Sequence, residues 1–465
     1  MGEHTEMRHT STAPGGLRRL LAPMRSGRGT VGPRRPVPTA VVADAGSGGA
    51  RRRRIRWAPV ATVLSVAMVA AACSSSTTTS SAKAVPSSKV VNVGFAGVIS
   101  GSVAELGLTT VNGLKMAIDS LNSHGGLLGH HVHLEVANSD AVPSTGLSEV
   151  RTMVLDDHIV ADFGAVSSAV GAAEESFTSA HHIPFFAATD NDVSLMTTHF
   201  NKWSFQLVPN TYMEPRAVAY YVHELYGTKP IRVATITPDY SFGLSDVTQF
   251  LAGLQEYHVN YTLVSRQAPP LGAPNFDPNI VAILAAHPDF VFSGQYGGDL
   301  VTLTKQALSY GLLSKVRFAA LYGEDELKQL GSSDPEAGGI GFDRAAFWGK
   351  TMAPSAAWVA EYHAKYGQWP SQWAILGYTA VQAWAYAVKK AGTFDGTKVA
   401  SELPGASVPT IRGPITIRAC DHQALVPEYV GTISSHVDPT YGFPVYTHTI
   451  AVPASKIIDP CGYKP

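Results

Sequence analysis

The stretch ADFGAVSSAVGAAEESFTSAHHIPFFAATD, residues 161–190, decides the fold of this chain. An apolar run (Ile159–Val166) precedes two serines, a helical stretch follows (Val170–His181), and a second apolar run (Ile183–Ala188) precedes a threonine and an aspartate. This order predicts a strand, a crossover helix and a parallel strand, with a hydroxyl side chain after each strand. Ligands of open α/β sheets bind outside the carboxyl ends of the strands. The unit is therefore interpreted as half of a small-molecule pocket.

The hydroxyl side chains of this unit indicate what the pocket binds. Ser167 and Ser168 stand where the helix begins, and Thr189 follows the second strand. Free N–H groups at a helix start point the same way as the serine hydroxyls, and such a site suits an anion, typically a carboxylate. The alternative is that these hydroxyls only cap helices.

Alternating strand and helix patterns extend on both sides of this unit. They begin at Lys89 and restart after Pro209-Asn210 with a second series. Two consecutive series predict an α/β protein with two doubly wound, Rossmann-like lobes.

The amino-terminal segment has the features of an export signal. Residues 1–50 are rich in Arg, Gly, Pro and Ala and are expected to be a disordered extension. In 51–73, a basic run precedes WAPVATVLSVAMVAAA, which is short for a membrane span, and the segment ends at Cys73. Ala-Ala-Ala-Cys resembles a bacterial lipobox, which implies that Cys73 is lipidated. An ordinary signal peptide and an uncleaved anchor are the alternatives. Residues 74–88 have the composition of a flexible tether.

Charge and cysteine content agree with an exported protein. Residues 1–72 hold 12 arginines and 3 acids, so the remainder has 23 Lys and Arg against 33 Asp and Glu. This acidic balance argues against nucleic acid as a partner of the folded part. Cys420 and Cys461 form an even pair in an oxidising compartment, so a disulfide is expected, with two free thiols as the alternative. Two cysteines without a nearby histidine pair do not make a zinc site.

Six motifs in a fixed order resemble the type I periplasmic amino-acid-binding family, the Leu/Ile/Val-binding group of transporter receptors. They are VNVGFAGVISGSVAELG (91–107), GLKMAIDSLNSHGGLLGHHVHL (113–134), IPFFAATD (183–190), PDYSFG (238–243), HPDFVFSGQY (287–296) and GPITIRACDHQ (413–423). The resemblance covers residues 89 to about 434.

This resemblance implies two lobes that are joined by three crossovers and close on a ligand like a clamshell. Lobe one would comprise 89–208 and 344–417, and lobe two 209–343 and 418–465. The crossovers would lie near Pro209, Asp343 and Arg418.

The family also implies the contacts of the ligand. The residues that match its binding positions are Ala104 and Leu106 in the first loop, Ser168, the element Ala187, Ala188 and Thr189, and the lobe-two aromatic residues Phe242 and Tyr296.

Two positions depart from the family pattern. Phe242 stands where the family usually has a tyrosine, and Tyr322 stands near the acid that pairs with the ligand's ammonium group. Glu324 is close enough in sequence to replace that acid. Because a buried ammonium without a carboxylate is costly, amides, aromatic acids and other small carboxylates stay open as ligands beside amino acids.

Together these observations predict a monomeric, membrane-anchored substrate-binding lipoprotein that delivers a small molecule to an ABC permease. No cofactor, metal or catalytic residue is expected. A sensor that passes the ligand signal to a separate membrane partner is the alternative. An enzyme would need a nucleophile–base pair or a carboxylate dyad in the cleft, and the sequence offers none.

Overall fold

The fold is that of a computed structural model, which describes residues 89–331, 339–348 and 354–465. The expected extension, the signal segment with Cys73 and the tether all lie outside these residues. Within the described ranges, no helix is long and apolar enough to cross a bilayer.

The strands form two main sheets, as the alternating pattern predicts. The first sheet contains β1 (Val90–Gly97), β2 (His131–Asn138), β3 (Phe185–Ala187) and β4 (Ser204–Gln206). The larger sheet begins with β5 (Ile231–Ile236), β6 (Tyr261–Gln267), β7 (Phe290–Ser293), β8 (Arg317–Ala320) and β9 (Ile340–Asp343). A small antiparallel sheet contains β10 (Ser407–Thr410), β11 (Gly413–Ile417) and β12 (Ala424–Leu425).

The last two strands return to the larger sheet. They are β13 (Glu428–Val437) and β14 (Pro444–Val452), and the order of this sheet is β14-β13-β9-β8-β7-β5-β6. β5 to β9 run parallel, and β13 is antiparallel to both β9 and β14. The chain passes from β12 of the small sheet to β13 of the larger sheet at Val426-Pro427.

Helices connect the strands and cover the sheets. They are α1 (Ala104–Ser123), α2 (Pro143–Leu155), α3 (Ser168–Ala180), α4 (Met213–Tyr226), α5 (Ser241–Glu256), α6 (Asp277–Ala285), α7 (Gly297–Ser309), α8 (Glu324–Leu330), α9 (Ala356–Tyr366), α10 (Gln372–Ala391), α11 (Gly396–Ser401) and α12 (Ala454–Ile457).

The stretch at residues 161–190 supplies α3 and β3, but its first predicted strand is shorter than Ile159–Val166. Asp162 alone bridges Gly94 of β1 and Phe185 of β3, and so joins the two pairs of strands of the first sheet. Pairing stops at Gly164, which has a φ of 74° and donates its N–H to Asp162 Oδ1 at 3.2 Å. A glycine adopts this backbone conformation without strain, so the chain turns there toward α3.

Close packing of α1 against α10 holds the start of α10 in place. A Cβ atom added at Gly113 would lie 2.0 Å from the carbonyl oxygen of Ala374. Only glycine allows the two backbones to approach this closely. The contact positions Trp373, the second residue of α10, at the centre of the molecule.

Cys420 and Cys461 form a disulfide in the structure, with their Cα atoms 6.0 Å apart. The bond ties the carboxyl-terminal tail to the turn between β11 and β12. Arg418 donates to the Asp459 carboxylate at 3.0 Å and also pairs with Asp421, so ion pairs reinforce the same junction.

We expect the double variant Cys420→Ser/Cys461→Ser to lose about 2–4 kcal/mol of unfolding free energy. The physical reason is that a bond across a separation of 41 residues restricts the unfolded chain. Urea unfolding of the oxidised protein and the variant measures the difference. A reduced wild-type protein as stable as the oxidised one would contradict this expectation.

Candidate ligand-binding site

Four helices begin around one small cavity between the two main sheets. The cavity measures about 10 Å³ and is lined by Val166, Ser168, Asn191, Tyr240, Phe242, Tyr296, Arg344 and Trp373. Six of them lie at or beside the amino-terminal ends of α3, α5, α7 and α10, whereas Asn191 lies beyond β3 and Arg344 follows β9. Helix amino termini carry free N–H groups and partial positive charge, so the arrangement favours a negatively charged or carbonyl-bearing group.

The volume and the lining residues of the cavity both distinguish it from the surface grooves. About 10 Å³ has room for roughly one water molecule. A larger groove of about 270 Å³ is lined by residues from the interior of α1 and α10 and by Pro409 of β10, and none of them lies at a helix start. We therefore take the small central cavity as the candidate site.

Of the predicted lobe-one residues, Ser168 lines the cavity. Its Oγ accepts hydrogen bonds from the backbone N–H groups of Asn191 (3.2 Å) and Asp192 (3.1 Å). The hydroxyl hydrogen of Ser168 is therefore available to donate to a ligand. Thr189 instead donates its hydroxyl hydrogen to the Ala165 carbonyl oxygen at 2.8 Å.

The other predicted lobe-one residues are buried beside the cavity but are not part of its lining. Ser167 is the N-cap residue of α3 and makes no side-chain cap hydrogen bond. Ala187 and Ala188 are fully buried, at the end of β3 and just after it.

Aromatic side chains at the starts of α5 and α7, which follow strands of the larger sheet, form another part of the lining. Phe242 and Tyr296 both line the cavity, and their rings meet edge to face with centroids 5.5 Å apart. The Tyr296 hydroxyl shares a hydrogen bond with the Tyr240 hydroxyl at 2.8 Å. Burial raises the pKa of both tyrosines, so both stay protonated.

Ala104 and Leu106 are not in a loop, contrary to the prediction. They belong to the first turn of α1, and neither lines the cavity. Leu106 is fully buried, and a Cβ atom at Gly297 would lie 3.0 Å from its side chain. Its contact is therefore with the start of α7, which approaches too closely to leave space for a ligand there.

Tyr322 and Glu324 also lie outside the cavity lining. The Tyr322 hydroxyl shares a hydrogen bond with Thr304 at 2.8 Å, and its carbonyl oxygen accepts from Tyr446. Glu324 begins α8, 4.0 Å from Lys328 Nζ, and burial raises the pKa of its carboxyl to about 7. Neither residue is placed to receive an ammonium group in this cavity.

Arg344 also lines the cavity, although the sequence did not lead us to predict it. It follows β9, is 2% exposed and pairs with Glu214 of α4 through Nε–Oε2 (2.5 Å) and Nη2–Oε1 (3.2 Å). Its Nη1 donates to the Thr189 carbonyl oxygen at 3.2 Å, and its guanidinium carbon lies 5.2 Å from the Trp373 ring centroid. The one available signal was an arginine directly after the crossover that was expected near Asp343. Tyr240, Asn191, Val166 and Trp373 were missed as well.

Comparison with known proteins identifies relatives of this chain. Residues 90–437 match the family model of the periplasmic binding proteins. The Leu/Ile/Val-binding protein homolog 4 of Brucella abortus (strain 2308) is 23% identical over 395 residues, which cover 81% of this chain and 94% of the relative.

Solved structures share the same fold. An ABC-transporter solute-binding protein from R. palustris, in complex with benzoate, superimposes with a TM-score of 0.69 at 17% identity, covering 81% of this chain and 100% of that one. The branched-chain amino acid transporter substrate-binding protein LivJ from Streptococcus pneumoniae, in complex with isoleucine, has a TM-score of 0.67 at 18% identity, covering 78% and 100%. At these identities the likeness establishes the fold alone.

Proposed function

This chain belongs to the type I periplasmic binding proteins of the Leu/Ile/Val-binding kind, and from that membership we propose that it is the substrate-binding lipoprotein of an ABC importer. The family consists of extracytoplasmic proteins that bind small molecules rather than enzymes. The chain would be anchored through a lipid on Cys73 and would deliver its ligand, as a monomer, to a permease in the membrane.

The observation that carries this proposal is the convergence of four helix amino termini on one cavity between the two sheets. The two sheets contribute opposite walls, with Ser168 on one side and Phe242 and Tyr296 on the other. A ligand in this position contacts both halves of the molecule, and so its binding free energy favours the closed arrangement.

Ligand entry requires the two lobes to separate. A cavity of about 10 Å³ does not admit an amino acid or an organic acid without movement of its walls. We infer that lobe one (89–208 and 344–417) and lobe two (209–343 and 418–465) rotate apart about their connections. The permease would then distinguish the open from the closed form.

The ligand is proposed to be a small solute that bears a carboxylate or an amide. Helix amino termini and the Ser168 hydroxyl supply hydrogen-bond donors for such a group. Proteins with this fold are seen with isoleucine and with benzoate, so the fold accommodates acids of both kinds. The aromatic wall would contact the apolar part of the solute.

A thermal-shift screen of the purified protein tests this function. The panel contains aliphatic amino acids, amides, aromatic acids and short-chain carboxylates. A ligand at 100 times its dissociation constant adds about 2.7 kcal/mol of stability, which appears as a rise of several degrees in melting temperature.

Two variants in α5 test whether the ligand binds in this cavity. We expect Phe242→Ala to weaken the binding of the ligand at least tenfold, because its ring lines the cavity. Leu244→Ala, two residues further on and 42% exposed, is the matched control and should bind like the wild type. A screen in which no solute of any class shifts the melting temperature would overturn the proposal.

A further inference from the structure

The cavity contains one charged side chain, that of Arg344. The other seven lining residues are neutral, and no carboxylate is among them. A ligand that enters this cavity therefore meets a buried guanidinium group directly. Arg344 is fixed between both walls, since it binds Glu214 of α4 on one side and the Thr189 carbonyl oxygen on the other.

Arg344 retains donors for a ligand. A guanidinium group has five N–H hydrogens. One on Nε and one on Nη2 go to Glu214, and one on Nη1 goes to Thr189. One hydrogen on each terminal nitrogen remains, and two such hydrogens can bind a carboxylate.

The charged groups around Arg344 include more positive than negative charge, so an additional anion would be stabilised there. Arg412, a half-buried arginine beside Arg344, donates to the carbonyl oxygens of Leu207 and Arg344, and no carboxylate of the described chain lies within 4 Å of its side-chain nitrogens. Burial raises the pKa of the nearby Asp246 and Glu428 carboxyls well above the usual range and that of Asp343 to about 7, which disfavours the charged form of all three. Glu214 alone forms an ion pair with this pair of arginines. A ligand carboxylate would complete the neutralisation.

Aromatic rings form most of the remaining surface. Phe242 and Tyr296 meet edge to face, the Tyr240 hydroxyl is bound to that of Tyr296, and Trp373 faces the guanidinium group. An apolar, planar body fits between such rings. An ammonium group has no anionic partner on this surface and would be costly to bury.

We propose that Arg344 is the receptor for the ligand's carboxylate, and that the ligand is an aromatic monocarboxylate without an amino group. This inference rests on the proposed function, because it requires a solute to enter the cavity. It places the carboxylate at the junction of the two sheets rather than on Thr189, whose hydroxyl hydrogen is already bound to Ala165.

Two matched pairs of compounds test the ligand class on the wild-type protein by isothermal titration calorimetry. Benzoate is compared with benzamide, and 3-phenylpropionate with phenylalanine. We expect at least one acid to bind, and each acid that binds to do so at least tenfold more tightly than its partner. Benzamide lacks the charge that Arg344 attracts, and phenylalanine adds an ammonium group that the cavity does not neutralise.

An Arg344→Lys variant tests the residue. Lysine keeps the charge but not the paired donors, so we expect the bound acid to lose at least tenfold in affinity while benzamide changes by less. Arg317→Lys, at the exposed start of β8, is the control and should bind as the wild type does. Circular dichroism verifies that each variant is folded, and if Arg344→Lys is not, the two compound pairs still decide the question.

The outcomes separate this inference from the proposed function. Equal binding of benzoate and benzamide, or unchanged affinity for the bound acid in a folded Arg344→Lys protein, would overturn the assignment of Arg344. Equal binding of 3-phenylpropionate and phenylalanine would overturn the exclusion of an amino group. If the four compounds fail to bind but another solute in the thermal-shift panel succeeds, the ligand class is wrong and the solute-binding function stands. If no solute binds in either experiment, both fall.

Discussion

The free energy of unfolding is expected to fall steadily as the pH rises from 5 to 8. The cause is an acid cluster, defined as Asp162, Glu174 and Asp190, in the first sheet and α3. All three residues are fully buried, and no Lys, Arg or His of the described chain lies within 4 Å of their carboxyl groups. Both carboxyl oxygens of Glu174 and of Asp190 have no hydrogen-bond partner in the described part of the chain. Ionisation of such a cluster is unfavourable because it would place negative charges side by side in a medium of low dielectric constant.

The direction of the pH effect follows from the pKa shifts. Burial raises the pKa of Asp162 from 3.8 to about 7, and burial with mutual repulsion raises that of Glu174 well above the usual range. The folded chain therefore keeps protons that the unfolded chain releases, and stability declines with pH. The contribution of Asp162 is complete below pH 3.8 and is lost as the pH rises through about 7. A difference of about three pKa units corresponds to about 4 kcal/mol, or about 1.4 kcal/mol per pH unit.

Urea unfolding at pH 5, 6, 7 and 8 measures this decline. Asp162→Asn keeps the oxygen that accepts from Gly164 but cannot ionise. We expect it to reduce the slope of stability against pH by about 1.4 kcal/mol per unit between pH 5 and 7. Asp156→Asn, at the exposed end of α2, is the control and should leave the slope unchanged. Stability that is constant or rises over this range would show that the cluster is ionised in the folded protein.

The sequence predicts the α/β architecture because that architecture depends on local patterns. Apolar runs at strand length and helical periods identify most elements between Val90 and Val452, and the resemblance motifs place them in the order of the family. The errors in the predicted elements occur where tertiary contacts determine the local backbone conformation. The run Ile159–Val166 ends early because Gly164 turns, and the predicted loop at Ala104 is helical because α1 begins sooner.

The candidate site was predictable in part. Ser168 was identified because it follows a predicted strand at a helix start, and Phe242 and Tyr296 because they match binding positions of the family's motifs. Arg344 and Trp373 were not, because their role depends on contacts with residues more than a hundred positions away. Arg344 meets Glu214, at a separation of 130 residues, and Thr189, at 155. No local periodicity carries such information.

Among single substitutions, removal of Glu214 from its ion pair with Arg344 is expected to lower the free energy of unfolding the most. Glu214→Ala should lower the unfolding free energy by about 3–5 kcal/mol, because it leaves a buried guanidinium group without its ionised partner. Both side chains are almost fully buried, at 2% and 1% exposure. Urea unfolding at pH 6 is the measurement.

A second ion pair close by provides a matched control. Arg216, also on α4, pairs with Glu256 at 3.2 Å, but Glu256 is 50% exposed. Water screens this pair, so Glu256→Ala should cost less than about 1 kcal/mol. The double variant Glu214→Met/Arg344→Met removes both buried charges together and should be more stable than Glu214→Ala, because no unpaired charge remains. If instead Glu214→Ala costs no more than Glu256→Ala, the guanidinium group does not depend on Glu214 for its stability. Arg344 would then not be a desolvated cation that an ion pair fixes in place.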